Sequence, residues 1–259
     1  MKKIKDIDYD RTHGFRGQAD LWLPDEPEGS KAVLLIHGGG WNAMDRFAFN
    51  PIAYLFTEMG LAVFNINYRL LDDAPWPACG DDCLRAGKYL LDARHPEMKQ
   101  LKLDQIIIAG GSAGGHLAMM TGFRLPTKRV AAIISIAGPS DFSTHFTKYK
   151  PLQDQKLFLN NARHSKTDLL EVSPLTYINS NQPCLYCVHS VNDQLILPMQ
   201  SRIAVEKSQS CGLKAELLEF NGPGKAHGFW RDGEEKQSQR ELTSEFEMVL
   251  RDVITKVKN

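Results

Sequence analysis

A serine sits among small residues in Gly110-Gly111-Ser112-Ala113-Gly114, after the apolar run Gln105–Ala109 and before a stretch of helical periodicity. The pattern G-x-S-x-G between a strand and a helix lifts a hydroxyl out of a sharp, strained turn, where it is free to act as a nucleophile. Side chains two positions to either side would collide with the neighbouring strand and helix backbones, so glycine is required at both. A glycine-rich turn of this kind can also cradle an anion, but neither G-x-G-x-x-G nor a Walker lysine accompanies it. His37-Gly38-Gly39-Gly40-Trp41 follows another apolar run, Ala32–Ile36, and favours the nucleophile. Three successive glycines leave backbone N–H groups uncovered. Acyl transfer needs such donors for the oxyanion of its tetrahedral intermediate. Gly39 and Gly40 are the expected donors, with the Ala113 N–H, just after the serine, as the third.

A serine nucleophile requires a base, and the base an orienting acid. Of eight histidines, His227 lies in Gly224-Lys225-Ala226-His227-Gly228-Phe229, between the run Ala215–Phe220 and the last helix. His37 belongs to the glycine loop, where an imidazole braces backbone. His116 lies on the helix after Ser112, one layer behind the chemistry, and His189 follows a buried strand as a structural histidine would. His13, His95, His145 and His164 stand in polar, loop-like context. Asp193, just past the run Cys184–Val188, can reach across the sheet edge to His227, with Asp232 and Glu171 as the alternatives. Ser112, Asp193 and His227 then follow one another in the chain order Ser…Asp…His.

These residues need a scaffold that brings strand ends together. Short β-branched runs recur at Ala32–Ile36, Leu61–Ile66, Gln105–Ala109, Val130–Ile136, Cys184–Val188 and Ala215–Phe220. Helical periodicity falls between most of them, at Phe47–Met59, Asp81–Ala93, Ala113–Phe123 and Met199–Ser210. A final helix over about Glu234–Val257 sets Leu242, Phe246, Val249, Leu250, Val253 and Val257 on one stripe. Continuous apolar strands alternating with amphipathic helices predict an α/β fold, a mostly parallel sheet covered on both faces. Residues 141–171 break the rhythm and read as a lid-like excursion over the sheet end. With no repeat or linker, 1–259 reads as a single domain.

Composition removes whole classes of function. The 31 Lys+Arg balance 31 Asp+Glu, so no basic footprint for nucleic acid or anionic membrane exists. Five scattered cysteines do not make a disulfide framework. Cys184-Leu185-Tyr186-Cys187 matches C-x-x-C but lies in a strand-like run rather than at a helix start, and no further ligands at zinc spacing accompany it. Neither a signal-peptide apolar region nor a membrane-spanning stretch is present, and the default expectation is a cytoplasmic protein.

With these residues in place, the chain resembles α/β-hydrolase esterases of the bifunctional deacetylase/feruloyl-esterase type and their hormone-sensitive-lipase-like relatives. Gly17–Pro24 resembles the stretch leading to "LYLP", Asn65–Leu70 with Ala74–Pro77 the "YRL…AP-P" segment, Gly110–Ala118 "GGSAGGHLA", and Ser173–Tyr177 "SPLTY". The departure is at His189-Ser190, where the group usually has His-Gly before the acid loop. The resemblance implies an α/β-hydrolase fold with a small or absent cap and a serine esterase needing neither metal nor cofactor. Its partner would be a small-molecule ester with a short acyl group, in a pocket walled by Trp41, Phe229, Trp230 and the 141–171 excursion. Aryl-formamide hydrolysis of the kynurenine formamidase type is the alternative, and a non-catalytic ligand-binding hydrolase fold the remote one.

Overall fold

The computed structural model describes residues 1–26, 31–143, 166–221, 227–230 and 242–258. Eight strands form one sheet: β1 (Lys2–Asp8), β2 (Gln18–Leu23), β3 (Lys31–Ile36), β4 (Ala62–Ile66), β5 (Gln105–Gly111), β6 (Val130–Ile136), β7 (Cys184–Ser190) and β8 (Ala215–Phe220). Their spatial order is β1-β2-β4-β3-β5-β6-β7-β8. The six strands from β4 to β8 run parallel, while β2 is antiparallel to both β1 and β4. All six apolar runs of the sequence are strands. The charged segment Lys2–Asp8, which has no strand-like apolar run, is an additional edge strand, with a register shift between Ile4 and Ile7.

Among the described residues, five helices longer than two turns cover the sheet: α1 (Asn50–Glu58), α2 (Ala78–Leu91), α3 (Ala113–Gly122), α4 (Met199–Ser210) and α5 (Ser244–Lys258). Alternation along each strand explains the two cores. Ala32, Leu34 and Ile36 of β3 join Cys83 and Leu90 of α2, Leu117 of α3 and Ala204 of α4 on one face. Val33 and Leu35 join Ile52 and Phe56 of α1 and Phe246, Leu250 and Val253 of α5 on the other. The same alternation disposes of the C-x-x-C reading, since Cys187 lies in the first core while Cys184 packs against the second.

Two of the helix boundaries that differ from the sequence reading do so for local reasons. The helix expected over Phe47–Met59 begins as a 3₁₀ turn, Arg46–Phe49, capped by the Asp45 carboxylate on Phe47 N. Arg46 there is wholly buried, paired with Asp20 at 2.9 Å and with Asp6, its guanidinium between the Phe15 and Phe47 rings. Helix α5 starts at Ser244, with the Thr243 hydroxyl accepting from Phe246 N at 3.4 Å. Residues 231–241 lie outside the described residues, as does Asp232. No helix among the described residues is long and apolar enough to cross a membrane.

Sheet order also fixes where a site can form. From β3 the chain passes to β4 on one side and later to β5 on the other. The carboxyl ends of β3 and β5 therefore flank a crevice of the kind in which open α/β sheets bind ligands. Ile36 stands opposite Gly110 in register, so the loops leaving these two strands emerge side by side.

Candidate active site

Ser112 has φ 55° and ψ −122°, outside the regions favoured by L-residues. Such a conformation costs about 1–3 kcal/mol and persists only where the surroundings impose it. Ser112 N donates to Ile136 O of β6 at 2.7 Å, and α3 begins at once, with Gly115 N and His116 N donating back to Ser112 O. The glycine requirement is met in detail. A Cβ on Gly110 would lie 2.2 Å from Gly114 O, and one on Gly114 would lie 2.2 Å from Ile36 O.

The His37–Trp41 loop is held against this turn. A Cβ on Gly38 would meet Gly111 O at 2.7 Å and the Ser112 side chain at 3.3 Å. Gly39 (φ 106°), Gly40 (φ 60°) and Trp41 (φ 61°) all take positive φ, and the turn closes by Ala43 N donating to Gly39 O at 3.0 Å. Among the described residues, neither the Gly39 nor the Gly40 N–H enters a backbone hydrogen bond. Ala113 is the first residue of α3, so its N–H has no intrahelical acceptor. All three expected donors are thus uncommitted, in loops packed on Ser112.

Two buried histidines hold this loop. His37 Nδ1 donates to Gly38 O at 2.7 Å, its ring stacks on Tyr68 at 4.3 Å, and Tyr68 donates its hydroxyl to His37 O. Burial pushes the His37 imidazole down to about 3. His116 Nε2 donates to Val172 O at 2.8 Å and its Nδ1 accepts from Trp41 Nε1 at 3.2 Å. Burial pushes His116 down to about 4, so both stay neutral and brace rather than titrate near neutrality.

On the far side of the sheet, loops after β7 and β8 supply the other members. His227 Nε2 lies 2.7 Å from Ser112 Oγ and its Nδ1 lies 2.8 Å from Asp193 Oδ2. Asp193 Oδ1 accepts from Leu195 N and Ile196 N at 2.9 and 3.0 Å. Burial alone would raise the Asp193 carboxyl. Hydrogen bonds from His189 and His227, the charge of His227 and the Ile196 N–H instead hold it well below the usual carboxylate range. The Ser190 hydroxyl accepts from Asn192 N at 3.2 Å, so serine in place of the usual glycine closes the acid loop without displacing Asp193.

The expected pocket walls divide. Phe229 is 1% exposed and packs between Phe220 and Phe246, so it is a core residue beneath the His227 loop and not a wall. Trp230 is buried edge-on to the His227 ring at 5.7 Å, and its indole would lie 3.5 Å from a Cβ on Gly111. Trp41 is buried against His116 and Phe142. Phe142, which reads as part of a lid, is core. Its N–H donates to Ser173 Oγ at 2.8 Å, drawing together the two ends of the excursion. Residues 144–165, with His145, His164, Phe146, Leu157, Phe158 and Leu159, lie outside the described residues. Glu171 is exposed, and the carboxylate that meets His227 Nδ1 is that of Asp193.

His189, structural by its sequence context, nonetheless sets its Nε2 3.3 Å from Asp193 Oδ2. The only sequence signal is its place four residues before the acid. Asp10, His13 and Asp82 bring ligand-type atoms within 4.8 Å of one another. Arg85 and Arg69 already pair with the two carboxylates, and the group takes no part in the site.

A sheet of this order with a strained serine, a histidine–aspartate pair and a glycine loop converging at its carboxyl edge has the α/β-hydrolase fold. The BD-FAE family profile matches residues 19–207, and the chain belongs to that family. The matched span contains Ser112 and Asp193 and stops short of His227. The probable carboxylic ester hydrolase LipM of Mycobacterium tuberculosis is 29% identical over 222 residues, 77% of this chain and 51% of LipM. The chain thus spans about half the length of that relative. A truncated carbohydrate esterase from gut microbiota superposes with TM-score 0.81 at 20% identity, covering 100% of this chain and 96% of that one. Est2 of Thermogutta terrifontis with propionate bound gives 0.74 at 21% identity, covering 96% and 92%. These two likenesses establish the fold.

Proposed function

We propose that this protein is a serine carboxylic-ester hydrolase acting on short-chain, acetyl-like esters. The continuous chain Ser112 Oγ–His227 Nε2, 2.7 Å, and His227 Nδ1–Asp193 Oδ2, 2.8 Å, carries the proposal. As the Ser112 oxygen forms its bond to the ester carbonyl carbon, His227 Nε2 takes the hydroxyl proton and Asp193 stabilises the resulting imidazolium. The carbonyl oxygen becomes the oxyanion and is met by the N–H groups of Gly39, Gly40 and Ala113. On collapse the carbon–alkoxy bond breaks, and the leaving oxygen receives the proton from His227. Water then attacks the acyl–Ser112 ester by the same route, releasing the acid and restoring the hydroxyl.

Phe49 and Trp230 crowd Gly111 beside the serine, and Trp41 of the glycine loop is buried against His116 and Phe142, which supports a short acyl site. Esterase relatives favour ester over aryl-formamide cleavage, and the intact Ser112–His227–Asp193 set argues against a non-catalytic receptor. The test is p-nitrophenyl acetate turnover together with labelling by an organophosphate. Wild type should turn over and gain one phosphoryl group on Ser112, whereas Ser112→Ala should lose about four or more orders of magnitude in kcat and resist labelling. Retention of a tenth of kcat by the folded variant would exclude Ser112 as nucleophile.

A further inference from the structure

Asp193 is addressed by two histidines, and the mechanism uses one. His189, wholly buried at the end of β7, has two acceptors before its Nε2: Ile196 O at 2.9 Å and Asp193 Oδ2 at 3.3 Å. Neither can donate, so the proton of a neutral ring belongs on Nε2. Its Nδ1 is then an acceptor, and the one group facing it is the buried Ser201 hydroxyl of α4, 2.7 Å away. Cys187, on the same strand as His189, carries a buried thiol. Burial pushes that thiol up to about 12, so it carries no charge.

The directions are mutually consistent. Ser201 O–H points to His189 Nδ1, and His189 Nε2–H to Ile196 O and the carboxylate. Asp193 and His227 are the other titratable groups here, and no other reaches His189 among the described residues. Were the ring to take the other tautomer, a lone pair on Nε2 would face a carbonyl and a carboxylate, while two protons would meet at Nδ1 and Ser201 unless the hydroxyl turned. In a buried site such a mismatch costs as much as leaving a polar group unpaired.

We infer that Ser201 holds the His189 ring through Nδ1 while Ile196 O and Asp193 keep its proton on Nε2, and that His189, so oriented, is a positioning residue that fixes the Asp193 carboxylate toward His227. The inference rests on Ser112, His227 and Asp193 acting as a catalytic triad. His189 shares the Oδ2 oxygen with His227, so it spreads part of the negative charge that would otherwise concentrate on the His227 bond. Losing the His189 donor should therefore loosen the carboxylate and strengthen its pull on the imidazolium. The first lowers kcat, and the second moves the acid limb of kcat/KM to higher pH.

The experiment compares Ser201→Ala and Ser201→Thr with wild type, after wild-type turnover and the Ser112→Ala loss have been verified. Failure of those two controls falls on the esterase reading, and failure of the Ser201 variants to behave as expected falls on this inference alone. Ser201→Ala should lower kcat about tenfold or more with KM within about twofold, and should displace the acid limb upward. Ser201→Thr, which keeps the hydroxyl, should recover most of the loss. Wild-type kcat and an unmoved acid limb in Ser201→Ala would overturn the inference. Should that variant not fold, side-chain ¹⁵N NMR of the wild-type protein decides: His189 protonated on Nε2 alone supports it, and a proton on Nδ1 overturns it.

Discussion

Ser112 and the loop beside it are held by backbone packed on backbone, whereas Asp193 and His227 are held by side-chain hydrogen bonds. On the first side the closest would-be contacts are carbonyl oxygens, Ile36 O and Gly114 O, and the tolerance is less than a methyl group. On the second side the constraints include protons shared among Asp193, His189, Ser201 and His227. One side therefore fails through volume and the other through charge and tautomer.

The sharpest way to separate them is to change charge without changing shape. Asp193→Asn keeps an oxygen for Leu195 N and Ile196 N but presents an amide where His227 Nδ1–H needs an acceptor. The imidazole is then held in the wrong tautomer, and kcat should fall by about 10⁴. Circular dichroism and urea unfolding should show a folded protein losing only about 1–2 kcal/mol. A variant with more than a hundredth of wild-type kcat would break the division.

The converse change adds volume without charge. Gly114→Ala places a methyl 2.2 Å from Ile36 O and 2.5 Å from His37 O, and neither backbone can retreat without disturbing β3. The loss should be roughly 3 kcal/mol or more by urea midpoint. Gly212→Ala is the control, with φ +78° and nothing within 4 Å, and should cost only about 1 kcal/mol of backbone strain.

Acid should find a weakness shared by the first side. His116 at about 4 and His37 at about 3 are both depressed from 6.5. Between pH 6.5 and 4 the unfolded chain binds protons there that the native state refuses, so stability falls as pH falls through that window. The stabilisation is complete above 6.5, and on the order of a few kcal/mol is lost by pH 4. Urea midpoints at pH 7, 6, 5 and 4.5 measure the slope, and His116→Gln should flatten it. A midpoint constant over this range would mean that neither ring is neutral for the reason given.

The smallest effect is in substrate choice. Each acyl methylene adds roughly 0.8 kcal/mol while it has apolar wall to touch, which is a few-fold in kcat/KM. Across a p-nitrophenyl ester series, kcat/KM should peak at about two to four acyl carbons. A value still climbing at the octanoyl ester would refute the short pocket.

The two sides are also unequally legible in the sequence. Backbone constraint leaves a compositional trace, because only glycine satisfies it. Gly110, Gly114 and the Gly38–Gly40 run therefore announce the elbow and its loop, and apolar runs announce six strands. Hydrogen-bond constraint leaves almost none. Asp193 and His227 are found by chain order, but His189 looks like any histidine behind a strand and Ser201 like any polar helix residue. The Trp41–His116–Val172 link joins three distant segments and has no local signature. Arg46 escapes because a charged residue is read as exposed until a partner such as Asp20 is seen beside it. Edge strand β1 escapes because KKIKDID offers Ile4 and Ile7 alone, three apart across a shifted register.

The clasp between Phe142 and Ser173 bears on how such an enzyme diversifies. Phe142 N meets Ser173 Oγ at 2.8 Å, Leu175 N meets Ser140 O at 2.9 Å, and Gln200 accepts from both Ser140 N and Asp141 N through its side-chain oxygen. The described ends of this stretch are thus drawn together at one point of the domain. Doubling the length of such an intervening stretch adds only about 0.6 kcal/mol of closure entropy. Insertion, deletion or exchange between these two points therefore costs little closure entropy, and Ser112, Asp193 and His227 all lie outside the stretch. A library confined to residues 144–165 is the laboratory counterpart of that freedom.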